Sequence, residues 1–318
     1  MGVILGNVTV RERVATFTRR HRIALIGLLL GALLLEITRS IQGSGDFTFQ
    51  PTSTAQGESL NSVITLEGER SAELILPKIY VATKAVPLLI DLHGYTGSGP
   101  TQSAYSKMQE AAFASGVAYI APTGSEDNLG NNFWNASDAC CDFNKSRVDD
   151  VAYIDSLVEK SIAAANIDSK RIYLFGHSNG HFMAYAYLCS GSTKVAAIAG
   201  LAGAMDPNPS RCKASSGNVL HIHGEKDGTI LFAGGSLFGS PYTSANETVG
   251  QWQTINECSP AKESSFNLLE SIPSEDALAN TFDCARGSLE FWRLPQGVHT
   301  PALDLNFATK VLEWLKRY

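Results

Sequence analysis

The chain has 318 residues, 44% of them hydrophobic and 18% charged, which is the ordinary composition of a globular protein with one sizeable buried core. Its formal net charge of −6 provides no basic field to attract a polyanion, so nucleic-acid binding is not expected. We expect the ligand to be a small or neutral molecule instead.

The N-terminal segment is typical of an export signal. Basic residues at positions 11, 13, 19, 20 and 22 precede an unbroken apolar run over residues 23–35. As a helix, these thirteen residues would extend about 20 Å, against roughly 30 Å for the hydrocarbon core of a bilayer. A cleaved signal peptide is therefore favoured, with a retained N-terminal anchor as the alternative. We predict that residues 1–45 form one of these two, and that the protein is secreted, periplasmic or extracellular. Membrane contact is expected only through this segment, if it is not cleaved.

The rest of the chain is predicted to hold one folded domain. Residues 46–61 are rich in Gly, Ser, Thr and Gln, a composition that predicts a flexible tether. No internal repeat or low-complexity tract interrupts residues 62–318, which we interpret as one catalytic domain.

All six cysteines follow the export segment. An even number of cysteines in an oxidising compartment favours up to three disulfides. We predict that Cys258 pairs with Cys284. Cys140 and Cys141 are then expected to pair with Cys189 and Cys212, in an order that the sequence leaves open. No CxxC pair or Cys/His cluster at ligand spacing is present, so no metal site is expected.

Short apolar runs alternate with segments of helical spacing along this domain. Strands are predicted at residues 72–76, 87–92, 117–120, 171–175, 195–201, 219–223 and 289–294. Helices are predicted over residues 103–115, on a face formed by Val151, Ile154, Val158 and Ile162, from Gly176 to about Leu188, and over Phe307, Val311, Trp314 and Leu315. This alternation indicates an α/β fold with a mainly parallel sheet and helices on both faces. Ligands bind such sheets at the carboxyl ends of the strands.

The sequence Gly176-His177-Ser178-Asn179-Gly180 is a GxSxG motif between a predicted strand and a predicted helix. This position is typical of the α/β-hydrolase fold, in which a sharp turn lifts the serine hydroxyl above the sheet. The flanking glycines are needed because larger side chains would clash in so tight a turn. Ser178 is therefore the predicted nucleophile.

A serine hydroxyl needs a base to take its proton and an acid to orient that base. In this fold the partners follow in the order serine, acid, histidine. Asp227 lies in the loop after the predicted strand 219–223 and is the predicted acid, with Glu225 as the fallback. His299 is the one histidine downstream of Asp227, so the chain order makes it the predicted base.

Four other histidines are given non-catalytic interpretations. His221 and His223 alternate on one predicted strand, but nothing nearby supplies further metal ligands, so we interpret them as structural residues near the sheet edge. His177 and His181 flank the nucleophile and are expected to shape the pocket rather than to transfer protons.

The oxyanion of an acyl-transfer intermediate needs preorganised N–H donors. One is expected to be the backbone N–H of Asn179, directly after the nucleophile, and the other that of Tyr95, in the loop after strand 87–92. The alternative for this second loop is an ordinary turn at His93-Gly94.

Two long loops are expected to overhang the site. Residues 123–146 carry Trp134, and residues 229–258 carry Phe232, Phe238 and Tyr242 among glycines and serines. Such a composition is typical of a cleft lining. We predict that Trp134, His181 and Tyr242 line the substrate pocket, whereas Trp252 belongs to the core.

Residues 62–318 resemble the family of secreted poly(3-hydroxybutyrate) depolymerases and feruloyl or acetylxylan esterases. The resemblance rests on several motifs in addition to GxSxG: Leu92-His93-Gly94, Cys140-Cys141 followed by Val148-Asp149-Asp150-Val151, Ile167-Asp168, Arg171-Ile172-Tyr173, Met183-Ala184-Tyr185, Leu188-Cys189, Leu220-His221-Ile222-His223-Gly224 with Asp227, and Trp252 ahead of Asn256 and Cys258. It implies hydrolysis of a small or polymeric ester outside the cytoplasm, without a metal or organic cofactor.

The chain departs from that family at two positions near the site. His181 stands where the family usually has a second glycine after the GxSxG motif. Thr300-Pro301-Ala302 follows the predicted base, His299, where a tryptophan and proline are usual. The alternatives to an esterase are a peptidase or acyltransferase on the same fold, or a non-catalytic binding module with a hydrolase scaffold.

Overall fold

A computed structural model describes residues 62–269 and 276–318. The predicted export segment and tether, residues 1–61, lie outside the described residues. The strands in the described ranges are β1 (Val63–Leu66), β2 (Ala72–Ile75), β3 (Val86–Leu92), β4 (Ala118–Ile120), β5 (Ser125–Glu126), β6 (Asn132–Phe133), β7 (Ile167–His177), β8 (Ala197–Leu201), β9 (Asn218–Gly224), β10 (Gly235–Leu237), β11 (Ser240–Tyr242), β12 (Lys262–Asn267), β13 (Asp276–Thr281) and β14 (Ser288–Leu294).

One large sheet organises these strands, in the spatial order β1-β2-β4-β3-β7-β8-β9-β14-β13-β12. Its centre is parallel: β4, β3, β7, β8, β9 and β14 all run in one direction. Antiparallel strands flank it, β2 and β1 on one edge and β13 and β12 on the other. The pairs β5–β6 and β10–β11 form separate hairpins. The mainly parallel sheet predicted from the alternation is confirmed.

Helices cover both faces of this sheet: α1 (Gly99–Ser106), α2 (Met108–Ala114), α3 (Asp150–Ala164), α4 (Asn179–Cys189), α5 (Ala245–Ile255) and α6 (Leu305–Leu315). Successive residues of β3 point to opposite faces, as strand geometry requires. Leu88 and Ile90 belong to a buried cluster with residues of α3, α4 and α5. Leu89 belongs to the cluster that holds residues of α2 and α6. The sheet is therefore buried on both sides.

The prediction of one continuous helix over residues 103–115 is wrong. The chain forms α1 and α2, separated at Lys107, whose φ is 59°. The preceding Ser106 donates its hydroxyl to Asp91 at 2.6 Å and accepts the backbone N–H of Met108. A serine side chain that replaces a backbone partner in this way interrupts a helix. The start is also earlier than predicted, because Ser98 caps α1 and Pro100 stands in its first turn.

The apolar face predicted for α3 is partly wrong. Ile154 and Val158 are buried, but Ile162 is 40% exposed. The buried stripe continues through Leu157 and Ser161 instead. The predicted core face of α6 is confirmed, since Phe307, Val311, Trp314 and Leu315 are all buried, and so is the core position of Trp252.

Candidate active site

Ser178 occupies a sharp turn between the end of β7 and the first residue of α4. Its backbone has φ 53° and ψ −120°, a conformation that a side-chain-bearing residue adopts only when its surroundings enforce it. A Cβ added to Gly176 would overlap the backbone of Gly180, and one added to Gly180 would overlap the carbonyl group of Leu92. Both glycines of the motif are thus required by close backbone approach.

The structure brings Ser178, His299 and Asp227 together from three different loops. The His299 Nε2 atom lies 3.0 Å from the Ser178 Oγ atom, and its Nδ1 atom lies 2.8 Å from Asp227 Oδ2. A carboxylate only accepts, so Nδ1–H donates to Asp227 and Nε2 is left to accept the serine proton. This is the geometry that nucleophilic activation by a general base requires.

The Asp227 carboxylate is held at both of its oxygens. Its Oδ1 atom accepts the backbone N–H groups of Thr229 at 2.8 Å and Ile230 at 2.9 Å. Burial raises the pKa of Asp227, but hydrogen bonds from His223 and His299 outweigh burial and bring the pKa below its usual value. Asp227 is therefore an anion whenever His299 needs to carry a positive charge.

The loop after β3 lies against the nucleophile, where an oxyanion would form. A Cβ added to Gly94 would lie 3.3 Å from Ser178 Cβ, which puts the Tyr95 backbone next to Ser178. Asn179 is the first residue of α4, so its N–H has no carbonyl partner one turn earlier in the helix. Gly94 thus lies beside Ser178, and the backbone N–H groups of Tyr95 and Asn179 remain the predicted oxyanion donors.

Two side chains brace this loop. The His93 Nδ1–H group donates to the Gly94 carbonyl at 2.7 Å, and its Nε2 atom accepts from Gly124 N–H at 2.9 Å. Burial lowers the pKa of His93 to about 4, so the ring is neutral, as these two bonds require. The Trp134 indole N–H donates to the His93 carbonyl at 3.0 Å.

Asn179 is tied to the same long loop by its side chain. The Asn179 amide oxygen accepts the backbone N–H of Trp134 at 2.7 Å, and the amide nitrogen donates to the Trp134 carbonyl at 2.9 Å. Sequence reasoning missed this bracing by His93, Trp134 and the Asn179 side chain, because the contacts join residues about 40 positions apart and no local spacing signals them.

The prediction that Trp134, His181 and Tyr242 line the substrate pocket is wrong. Trp134 and His181 have no exposed surface, and Tyr242 is 5% exposed. Trp134 packs in the core beneath the loop, while the Tyr242 hydroxyl accepts the backbone N–H of Leu231. All three side chains are therefore buried, Trp134 and Tyr242 in the long loops and His181 on α4.

A different set of aromatic rings extends from Tyr95, in the loop after β3, to the surface. The Tyr95 ring meets Phe143 edge-on at 5.3 Å, and Phe143 meets Phe238 at 4.6 Å. Phe238 is 88% exposed in the turn between β10 and β11. The Tyr95 hydroxyl donates to Asp127 at 2.6 Å, which fixes the inner end of this row. Of the aromatic residues predicted on the second loop, only Phe238 is in such an exposed position; Phe232 packs against His223.

His177 holds the base through the backbone. Its Nε2–H group donates to the His299 carbonyl at 2.9 Å. Burial lowers the pKa of His177 to about 4, so it remains a neutral donor. The fallback acid Glu225 is directed away from the site and pairs with Arg293 at 3.0 Å.

The prediction that His221 and His223 lie near a sheet edge is wrong. They lie on β9, between β8 and β14 in the middle of the sheet, and both are buried. His223 Nε2 lies 3.5 Å from Asp227 Oδ2. Within residues 62–269 and 276–318, no cluster of three or more His, Cys, Asp and Glu side chains is arranged to hold a metal ion.

The cysteine pairing is confirmed in one part and wrong in the other. Cys258 pairs with Cys284 as predicted. Cys140 and Cys141 pair with each other, and Cys189 pairs with Cys212. The adjacent pair is buried in a cluster with Phe182, Ala204 and Tyr242, among others.

Across the described part of the chain, no helix is both long and apolar enough to span a bilayer.

A serine on a strand-to-helix turn, with its histidine and aspartate on later loops of a parallel sheet, defines the α/β-hydrolase class. Residues 79–266 match the phospholipase/carboxylesterase family. The chain belongs to this family, since the match spans more than half of it. The predicted α/β-hydrolase fold and the predicted class, a carboxylic ester hydrolase, are confirmed.

Individual relatives agree with this assignment. A probable feruloyl esterase C from Aspergillus terreus is 26% identical over 225 residues, covering 68% of this chain and 73% of that protein. A putative esterase, NocK, from Nocardia uniformis subsp. tsuyamanensis is 29% identical over 149 residues. That match covers 46% of this chain and 42% of the relative, so the chain spans less than half of NocK. The acetyl xylan esterase from Aspergillus awamori shares the fold, with a TM-score of 0.59 at 16% identity, over 81% of this chain and 100% of that structure.

Proposed function

We propose that the protein is an exported serine esterase that hydrolyses carboxylic esters through an acyl-enzyme on Ser178, with residues 62–318 as its single catalytic domain. The position of His299 carries this proposal: it joins Ser178 Oγ at 3.0 Å and Asp227 Oδ2 at 2.8 Å. No other histidine in the described residues contacts the serine hydroxyl.

The reaction follows from these contacts. As Ser178 Oγ attacks the ester carbonyl carbon, its proton moves to His299 Nε2, and Asp227 stabilises the imidazolium that forms. The negative oxygen of the tetrahedral intermediate faces the N–H groups of Asn179 and Tyr95, which is worth about 3 kcal/mol per donor in the transition state. His299 then gives the proton to the leaving alcohol oxygen. Water then attacks the acyl-enzyme with His299 again as the base, which releases the acid and regenerates Ser178.

The surroundings favour a short acyl chain or an aryl acid. The aromatic row begins at Tyr95, the proposed second N–H donor, and continues through Phe143 to the exposed Phe238, which suits a flat hydroxycinnamoyl group by edge and face contacts. We expect the alcohol side to open to solvent, so that both small and polymeric esters are accepted. The names of the relatives, feruloyl esterase and acetyl xylan esterase, point to the same substrate classes.

Export is supported by two independent observations. The N-terminal sequence has the basic and apolar regions of a signal or anchor, and three disulfides form between the six cysteines. Disulfides persist in oxidising compartments.

The nucleophile is tested with Ser178→Ala and with a fluorophosphonate label. Ser178→Ala and His299→Ala are expected to lower kcat on p-nitrophenyl acetate by several orders of magnitude, about 10⁴-fold or more, because such residues act as a unit. Ser216→Ala, at an exposed position, is the matched control and keeps full activity. Near-normal turnover by Ser178→Ala, or absence of a label on Ser178 in the wild type, would contradict the proposal and favour a non-catalytic binding module.

Substrate choice is tested with p-nitrophenyl acetate, butyrate and palmitate, methyl ferulate, and a poly(3-hydroxybutyrate) suspension. We expect acetate, butyrate and ferulate to be hydrolysed well and palmitate poorly. Phe238→Ser is expected to reduce kcat/KM on methyl ferulate while leaving the acetate unchanged. A preference for palmitate would overturn the acyl assignment, and hydrolysis of an amide instead of these esters would indicate a peptidase.

A further inference from the structure

A row of buried polar rings that the proposed reaction does not use ends at Asp227. The Tyr185 hydroxyl lies 2.7 Å from His221 Nδ1, and His221 Nε2 lies 3.2 Å from His223 Nδ1. His223 Nε2 lies 2.8 Å from the Ile230 carbonyl and 3.5 Å from Asp227 Oδ2. All three rings are at most 2% exposed. The row runs from α4 through β9 to the loop of the proposed acid.

The end of this row fixes the direction of every hydrogen bond in it. The Ile230 carbonyl only accepts, so a neutral His223 carries its proton on Nε2 and has a bare Nδ1. That Nδ1 then accepts from His221 Nε2–H, which leaves His221 Nδ1 bare to accept the Tyr185 hydroxyl proton. Each donor therefore points towards Asp227. Burial lowers the pKa of His221 well below its usual value, in agreement with this arrangement.

His223 contacts both sides of the loop that holds the carboxylate. Its Nε2–H group is shared between the Ile230 carbonyl and Asp227 Oδ2, while the Ile230 N–H group donates to Asp227 Oδ1. The carboxylate is thus held between the ring of His223 and the ring of His299. Rotation of Asp227 away from His299 would break the contacts of both oxygens.

Packing alone does not account for these polar rings. The row is surrounded by aromatic side chains: Phe291 lies 5.3 Å from His221, and Phe232 lies 5.7 Å from His223. Apolar residues would fill such a space without the cost of burying nitrogen and hydroxyl groups. A fully satisfied polar network instead specifies one arrangement of its members, and this one ends on a carboxylate.

We propose that His223 is a positioning residue for Asp227, and that His221 and Tyr185 hold His223 in the tautomer that donates to the carboxylate. This inference rests on the proposed role of Asp227 as the acid behind His299. Besides His223 and His299, the titratable side chains that face this region are His177, His181, Tyr105 and Tyr242.

The second donor on Asp227 Oδ2 has a consequence for the base. A donor that shares the charge of a carboxylate weakens its attraction for a neighbouring imidazolium. Removing the His223 N–H group is therefore expected to strengthen the attraction of Asp227 for the imidazolium form of His299. The acidic limb of the kcat/KM profile against pH, which reports the free base, moves to higher pH.

Variants of His223 separate positioning from packing. His223→Phe keeps an aromatic ring but has no donor, and we expect about tenfold lower kcat and an acidic limb at higher pH by about half a unit. His223→Gln carries an amide N–H near the original Nε2 position and is expected to restore the wild-type limb. Loss of packing alone would change kcat and thermal stability in both variants and would leave the limb in place. An unchanged limb in His223→Phe would overturn the proposal.

A spectroscopic measurement tests the same inference without turnover. In protein labelled with 15N-histidine, long-range 1H–15N correlations are expected to show His221 and His223 protonated on Nε2 and bare on Nδ1. A proton on Nδ1 of either ring overturns the proposal, even if every variant is poorly folded. In Tyr185→Phe the hydroxyl that donates to His221 Nδ1 is absent, so His221 is expected to lose its preference for a proton on Nε2. Failure of the proposed esterase function would appear instead as activity in Ser178→Ala, with the tautomers unaffected.

Discussion

Asp227 illustrates how the neighbours of a single residue decide its chemical state. Four donors reach its carboxylate: two backbone N–H groups on Oδ1 and two histidine rings on Oδ2. Hydrogen bonds to the charged form of a carboxylate oppose the effect of burial on its pKa. The residue that the chain order selects as the acid is therefore also the one that its loop keeps ionised.

The first prediction concerns this charge. Asp227→Asn keeps the shape of the side chain but loses the anion that fixes Nδ1–H on His299 and stabilises its imidazolium. We expect kcat to fall by about 10³- to 10⁴-fold, with KM changed much less. Steady-state kinetics on p-nitrophenyl butyrate, with circular dichroism to verify the fold, measure this.

Glu225→Gln is the matched control for this variant. Glu225 is two positions away, carries the same charge and was the fallback acid, yet it pairs with Arg293 on the surface. Exposed ion pairs are worth about 0–1 kcal/mol, so this variant is expected to keep near-normal turnover. A larger loss of turnover in Glu225→Gln than in Asp227→Asn would reverse the assignment of the acid.

At the scale of elements, the sequence predicts the strands and turns that have a repeated apolar pattern or a local motif. Buried runs such as residues 87–92 and 171–175 identify the parallel strands, and the turn after β7 identifies the nucleophile. The antiparallel strands β12 and β13 were not predicted, because β12 is largely exposed and therefore lacks an apolar run. The break between α1 and α2 depends on the contact of Ser106 with Asp91, fifteen positions earlier, which no periodicity reports.

The candidate site divides in the same way. Ser178, Asp227 and His299 follow from a motif and from chain order. The residues around them do not, since the burial of Trp134 and His181 and the row behind Asp227 depend on which face of the sheet each loop reaches. The disulfides show a similar limit: the pairing of Cys140 with Cys141 is set by their position in a buried loop, and counting cysteines leaves it open.

The second prediction contrasts two of these disulfides. The Cys258–Cys284 bridge closes 26 positions of chain, and closing a loop of this length stabilises a domain by about 3.5 kcal/mol through the unfolded state. For a domain of this size, the double variant Cys258→Ala/Cys284→Ala is expected to lower Tm by about 10 °C. Its kcat at 25 °C stays near that of the wild type.

The double variant Cys140→Ala/Cys141→Ala is the comparison. These cysteines are one position apart, so their bridge removes almost no freedom from the unfolded chain. Their cluster includes Phe182, which lies one helical turn after Ser178 on α4. We expect a smaller loss of Tm and a larger loss of kcat/KM than in the first variant. Differential scanning calorimetry and ester kinetics compare the two, and the opposite ranking would contradict this account.

At the scale of the whole described domain, burial keeps several histidines neutral. Burial lowers the pKa values of His93 and His177 to about 4, and it lowers those of His181 and His221 well below 6.5. One buried carboxyl has the opposite character. Burial raises the pKa of Asp91 to about 6, although it accepts hydrogen bonds from Gln102, Ser106 and Tyr119.

These shifts set the pH dependence of stability. Between pH 6.5 and 4 the unfolded chain binds protons on its histidines, whereas folded His93 and His177 stay neutral. The free energy of unfolding therefore falls on acidification by up to about 1.4 kcal/mol per pH unit for each such residue. Asp91 opposes this loss between pH 6 and 3.8, because the folded form holds a proton that the unfolded form has released.

The third prediction uses Asp91→Asn to expose this balance. The amide is neutral at every pH, so the variant lacks the compensation from Asp91, and the side-chain hydroxyls of Ser106 and Tyr119 can rotate to accept from it. We expect the Tm of the wild type to fall between pH 6.5 and 4.5, and that of Asp91→Asn to fall more steeply over the same range. Asp138→Asn, at an exposed position, is expected to follow the wild-type slope. Thermal unfolding at half-unit steps of pH measures all three, and parallel curves for Asp91→Asn and the wild type would show that Asp91 does not take up its proton in the folded state.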